Sequence, residues 1–125
     1  MKLNHANLPS ADVSADITMF ETYFGLQTAF RRGDTIALLR DDDDFRLLIA
    51  NFPKLQGNFA YPADSDLLHV GFRLETREQV EAVQARFEAD GWPVEKPKEL
   101  HGAWTFYVRA PGGYTVEVYQ QHRAP

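Results

Sequence analysis

The sequence predicts an α+β chain made of one βαβββ unit written twice. Three observations carry this. His5 (LNHANL) and His69 (LLHVGF) stand in matching apolar, strand-like segments, 64 residues apart. Each is followed by a turn, an amphipathic helix and a closing glycine, Gly25 or Gly91. Finally, LRDDDDFRLLIAN (39–51) overlays VRAPGGYTVEVYQ (108–120) without a gap, 69 residues on, which sets Glu117 opposite Leu48.

The elements follow in order. Residues 1–8 form a strand with Leu3, His5 and Asn7 on one face by period two, ended by Pro9. Ser14 caps a helix to about Phe24, with Ile17, Phe20, Tyr23 and Phe24 as its apolar stripe and Gly25 in the left-handed position after the last turn. Strands at Gln27–Arg32, Thr35–Arg40 and Phe45–Asn51 come next, turning at Gly33-Asp34 and Asp41–Asp44. A Pro-, Gly- and Asn-rich stretch separates the halves. The expected modules are 1–52 and 67–122, with 53–66 as linker.

In the second module Leu67–Leu74 is a strand that shows His69, Gly71 and Arg73 on one face. Thr76-x-x-Gln79 is a capping box for a helix to about Asp90, with Val80, Val83, Gln84 and Phe87 inward. Val94–Lys96, Trp104–Arg109 and Tyr114–Gln120 complete the set, the last two joined at Pro111-Gly112-Gly113.

Composition narrows the function. The 125 residues suit one domain with its own core. Without cysteine there are no disulfides, thiolate metal sites or cysteine nucleophiles, as suits a reducing cytoplasm. The N-terminus has no signal-like apolar core, and no apolar run reaches membrane-spanning length. A cytoplasmic protein away from membranes is expected. A net charge of −5 with scattered Lys and Arg argues against nucleic acid as a partner.

His5, His69 and Glu117 are the candidate metal ligands. Either histidine alone reads more simply as a structural residue. Glu117, however, lies in the apolar run YTVEVY, where alternation turns it away from Val116 and Val118 toward the concave side. An unpaired carboxylate there is costly and calls for a cation or a tight hydrogen-bond set. Two imidazoles and a carboxylate form a facial ligand set with positions open to substrate; iron, manganese, zinc and nickel all suit it. Arg73 and Arg109 are candidates for binding substrate, against exposed strand positions. Asp41–Asp44 lacks the calcium-loop pattern and reads as a solvated turn. His122 reads as solvated, and Trp92, Trp104, Phe59 and Tyr61 as core more than pocket lining.

The strand histidines, the helix ending TMFETYFGL and the closing FYVRAPGGYTVEVY resemble the vicinal oxygen chelate superfamily of glyoxalases, extradiol dioxygenases and fosfomycin- and bleomycin-resistance proteins. The resemblance covers nearly the whole chain. It implies mixed sheets curled around a central cavity, one divalent metal, a small oxygen-bearing substrate that chelates it, and in chains of this length a homodimer joining His5 of one subunit to His69 and Glu117 of the other. Leu48 takes the place of the fourth ligand of glyoxalase I, which argues against that activity. The C-terminal Phe106-Tyr107, Ala110-Pro111, Gly113 and Glu117 resemble the extradiol pattern, in which Tyr107 and His101 would orient substrate and move protons; His101 precedes Tyr107 by fewer residues than the pattern has. Asn7, two residues after the first histidine, stands where fosfomycin-resistance proteins have threonine. The implied function is a metal-dependent dioxygenase-, lyase- or transferase-like enzyme. The alternative is a metal-free binder of small molecules or antibiotics of the bleomycin-resistance type.

Overall fold

A computed structural model describes residues 1–52 and 59–121. His122 and much of the expected linker lie outside the described residues. The chain divides into two compact units, Met1–Tyr61 with Ala110–Gly113, and Pro62–Arg109 with Tyr114–Pro125.

In the first unit β1 (His5–Pro9), α1 (Val13–Phe24), β2 (Gln27–Arg32), β3 (Ile36–Arg40) and β4 (Arg46–Ala50) form a mixed sheet of order β1-β4-β3-β2. β1 runs parallel to β4 and the rest is an antiparallel meander. A bulge between Thr28 and Phe30 shifts the β2 register. α1 lays Val13, Ile17, Met19 and Phe20 against the sheet side that buries Ala37, Leu39, Leu47 and Ile49. Alternation leaves Leu38 and Leu48 on the other side, half-buried.

The N-cap lies two residues before the expected one. Asp12, not Ser14, is the N-cap, and its carboxylate accepts from the Ala15 N–H at 3.0 Å. The charged carboxylate acceptor took the position. Ser14 instead bonds Asp34 and accepts from Arg31 Nη2 at 2.7 Å, tying the β2–β3 turn to the helix. These bonds hold the Asp34 carboxyl below its ordinary value, the Ser14 hydroxyl first and then Arg31. Gly25 sits at φ 66 as the expected left-handed cap.

The second unit repeats the pattern with β5 (His69–Arg73), α2 (Arg77–Ala89), β6 (Lys98–Leu100), β7 (Ala103–Arg109) and β8 (Thr115–Gln121), in the order β5-β8-β7-β6. The capping box forms in full: Thr76 accepts from the Gln79 N–H and the Gln79 side chain returns to the Thr76 N–H. Val80, Gln84 and Phe87 are buried against the side of the sheet that carries Phe106, Val108, Val116 and Val118. Phe87 meets Phe106 and Trp92 edge to face, and Arg77 lies 4.6 Å over the Trp104 ring.

One strand is misplaced by the sequence reading. Val94–Lys96 is irregular and the edge strand is Lys98–Leu100. Pro93 and Pro97 bracket the expected segment, and pairing with β7 resumes only past the second proline. Among the described residues, no helix is long and apolar enough to cross a membrane.

The register bears out the repeat. His5 pairs with Arg46 and Asn7 with Leu48; His69 pairs with Thr115 and Gly71 with Glu117. Leu38 opposes Leu48 as Tyr107 opposes Glu117. Leu48 is therefore the true counterpart of Glu117, and Leu38 of Tyr107.

Candidate functional site

β5, β8 and β7 build one open face. The valines of TVEV turn toward α2, so Thr115, Glu117 and Tyr119 point the other way, beside His69, Gly71 and Arg73 and beside Thr105, Tyr107 and Arg109.

Glu117 is the centre of this face. Its Oε2 lies 2.8 Å from the Thr105 hydroxyl, which is also 3.2 Å from the Val118 carbonyl; the shorter contact donates to the carboxylate. Its Oε1 lies 3.3 Å from His69 Nε2, with the two side chains 16% and 31% exposed. Gly71 makes room: a Cβ there would come within 3.1 Å of the Tyr119 ring and 3.7 Å of Glu117 Oε1.

The His69 ring is fixed from behind. Nδ1 is 2.7 Å from the Ser65 carbonyl. A carbonyl only accepts, so Nδ1 carries the hydrogen and Nε2 faces the carboxylate. Nε2 then either bears a second proton and pairs with Glu117, or presents a lone pair beside a carboxylate oxygen. The second arrangement is electron-rich and calls for a cation.

Tyr107 completes the cluster, its ring 5.7 Å from His69 at 76°. Burial first, then the charges of Glu117 and Asp66 and hydrogen bonds to both, push its hydroxyl up to about 12. It remains a protonated donor throughout the neutral range. Beside Thr105 and Tyr107 opens a pocket of about 360 Å³, walled by Ser65, Asp66, Lys96 and Lys98.

The other expected residues are placed differently. Arg109 shares the face, but its guanidinium bonds the Ala63 and Pro62 carbonyls at 3.1 and 3.4 Å, anchoring the chain before β5. Arg73 is exposed one pair beyond Glu117. His101 does not join the cluster. With Gly102 it forms the two-residue turn between β6 and β7, both at positive φ (53 and 79), with Leu100 opposite Ala103. Four strand positions, about 13 Å, then separate Ala103 from Tyr107. His5 and Asn7 lie exposed on the open face of the first sheet, with His5 Nδ1 3.0 Å from Asn4 Oδ1. Among the described residues, no three His, Cys, Asp or Glu side chains group to hold a metal. The second unit contributes two such donors.

Those two fit a metal. Ligands 2.0–2.2 Å from an ion and at right angles to each other lie about 3 Å apart, close to the 3.3 Å between His69 Nε2 and Glu117 Oε1. The backing of His69 by a carbonyl and of Glu117 by a hydroxyl is the outer support such ligands have.

Thr105, Ser65 and Asp66 were not singled out from sequence. Alternation from Glu117 and Tyr107 could have found Thr105; the Ser65 carbonyl left no signal in the residue string.

Two four-stranded mixed sheets, each with one helix, make up a recurrent class of α+β proteins. The chain belongs to the Glyoxalase/Bleomycin resistance protein/Dioxygenase superfamily, whose family model matches residues 2–118. It is similar to a possible glyoxalase from Bacillus cereus, at 43% identity over 94% of this chain and 97% of that one, with a TM-score of 0.82. The fold is also that of a lactoylglutathione lyase from Agrobacterium tumefaciens (23% identity, 95% and 92% covered, TM-score 0.74). A fosfomycin resistance protein from Listeria monocytogenes shares it too (15%, 95% and 90%, 0.72). No curated protein matches the chain.

Proposed function

We propose that this chain is a divalent-metal-dependent enzyme acting on a small substrate that chelates the metal through its oxygens. His69 and Glu117 would hold the ion together with His5, supplied by a second copy in a homodimer. The observation that carries this reading is His69 Nε2 beside Glu117 Oε1 at 3.3 Å, with the far side of the imidazole locked to the Ser65 carbonyl. When bound, the ion supplies Lewis acidity at the substrate oxygens. Iron, manganese, zinc and nickel all suit two imidazoles and a carboxylate.

The residues of this chain divide the remaining work. Thr105 orients Glu117 and Ser65 orients His69. Tyr107, held protonated, donates a hydrogen bond to an oxygen that gains negative charge, or gives up its proton there. Arg73 stands at the rim for an anionic group, and Asn7 comes with His5. His101, at its hairpin tip, has no part in the site of its own unit. Leu48 removes the second carboxylate of glyoxalase I, so the reaction is dioxygenase-, lyase- or transferase-like instead.

The test is anaerobic titration of metal-stripped protein with Fe(II), Mn(II), Zn(II) and Ni(II), with His69→Ala as control. One tight site per subunit, lost in His69→Ala and in His5→Ala, is expected. No binding by the parent protein refutes the reading and leaves a metal-free small-molecule binder; binding indifferent to His69 or to His5 refutes the assignment of ligands.

A further inference from the structure

In the first sheet, the row matching Gly71, Glu117 and Tyr107 is Asn7, Leu48 and Leu38, continued by Phe30 on the edge strand. Leu47 and Ile49 are buried on the helix side, so Leu48 and its row leave on the opposite side, as does His5 through its pairing with Arg46. Leu38 and Leu48 are half-buried and Phe30 is 52% exposed. The substitution is concerted. Ile36, Leu38 and Leu48 stand where the second sheet has Thr105, Tyr107 and Glu117, which bond to one another there. A carboxylate and its two donors are replaced together by an apolar strip.

His5 cannot be separated from this strip. One strand across and two positions along, the Leu48 Cα is about 8 Å from that of His5, and Leu38 one strand further is about 12 Å away. Whichever copy supplies His5 to a metal brings Leu48 and Leu38 with it on the same face.

We infer that Leu48, Leu38 and Phe30 form the wall that receives the body of the substrate, and that the substrate is a vicinal-oxygen chelator bearing an apolar alkyl or aryl group. This rests on the metal-centre reading above. An apolar wall offers nothing to a charged or strongly hydrated substituent and penalises its desolvation. It also offers no proton donor or acceptor, so proton movement falls to the second sheet, to Tyr107.

Alkyl hydroxamates test this, because their two oxygens chelate a divalent ion whatever the natural reaction. Acetohydroxamate, its longer straight-chain homologues and the carboxylate-tipped succinic monohydroxamate are titrated calorimetrically into the nickel-loaded protein. Each added methylene is expected to tighten binding about three- to fourfold until the wall is covered, while the carboxylate-tipped probe gains nothing. Leu48→Ser and Phe30→Ala, on the open side of the sheet, are expected to lower the ratio of long- to short-chain affinity about tenfold. Acetohydroxamate binding without a chain-length slope, or a slope that both variants retain, overturns the wall alone. Failure of even acetohydroxamate to bind the parent protein overturns the metal-centre reading and the wall with it.

Discussion

Gly112→Ala tests a buried, closely packed polar contact in the first unit. The Asp16 carboxylate is fully buried on α1. It accepts from the Ser10 hydroxyl at 2.6 Å and from the Gly112 N–H at 2.7 Å. The Ala11 N–H bonds the Gly112 carbonyl at 3.0 Å, closing the contact from the other side. A Cβ on Gly112 would stand 2.2 Å from Asp16 Oδ2 and 2.5 Å from Ser10 Oγ. Both neighbours are short, buried side chains with no free end to swing aside, so the carboxylate must leave its donors. Two hydrogen bonds to a carboxylate, at about 1.5–3 kcal/mol each, set the cost at roughly 3–5 kcal/mol. That is a large part of the roughly 5–15 kcal/mol that holds a domain together. At about 4 °C per kcal/mol for a chain of this size, the midpoint should fall by roughly 10–20 °C. Urea and thermal unfolding of the parent, Gly112→Ala, Asp16→Ala and the double variant make the assay. Removing the carboxylate clears the nearer clash and frees the Ser10 hydroxyl from its acceptor, so the double variant should lose clearly less than the sum of the two single changes. A Gly112→Ala protein within about 0.5 kcal/mol of the parent, or strict additivity in the cycle, would refute the argument.

Two further outcomes follow from the structure. Thr105→Val keeps the shape of the side chain but removes the donor to Glu117 Oε2; metal affinity in the titration described above should fall about 10- to 100-fold, and an unchanged affinity would show that Glu117 needs no such support. Tyr61 donates to the Pro9 carbonyl at 2.7 Å, and burial first, then the Asp16 charge, raise its hydroxyl to about 12. The folded value lies above the ordinary value of about 10, so this contribution is complete below pH 10 and is lost as pH climbs toward 12. Stability should therefore fall more steeply between those values in the parent than in Tyr61→Phe, and parallel curves would count against a buried, protonated Tyr61.

Much of the fold is legible because each signal is local. The capping box at Thr76, Gly25 after α1 and alternation in TVEV each name their conformation within a few residues. The misses occur where two local signals compete. Asp12 and Ser14 both cap helices, and only the backbone decides which carboxylate or hydroxyl reaches a free N–H. Val94 reads as strand, yet the prolines around it delay pairing until Lys98. Asp16 was passed over for a more general reason. It falls on the inward face of α1, one position before Ile17, where a carboxylate looks misplaced. Its partners, Ser10 and the Gly112 N–H, lie six and 96 residues away. The face of Glu117 was legible from period two, and its pairing with Tyr107 from the hairpin. The carbonyl of Ser65 that orients His69 belongs to the backbone and could not be read from residue types.

The two sheets also bear on why the carboxylate survives on one and not the other. A glutamate on a half-covered sheet face is stable only where its neighbours donate to it. Glu117 has Thr105 on a diagonal, Tyr107 directly across and His69 beside it, all within its own unit. The matching places around Leu48 hold Ile36 and Leu38, neither of which can donate. Leu48 is thus one of a set, and a glutamate there would lack the two hydroxyl donors that Thr105 and Tyr107 give Glu117. The unit written twice has been divided by chemistry: the second sheet keeps a carboxylate with its donors, and the first keeps a histidine on an apolar floor.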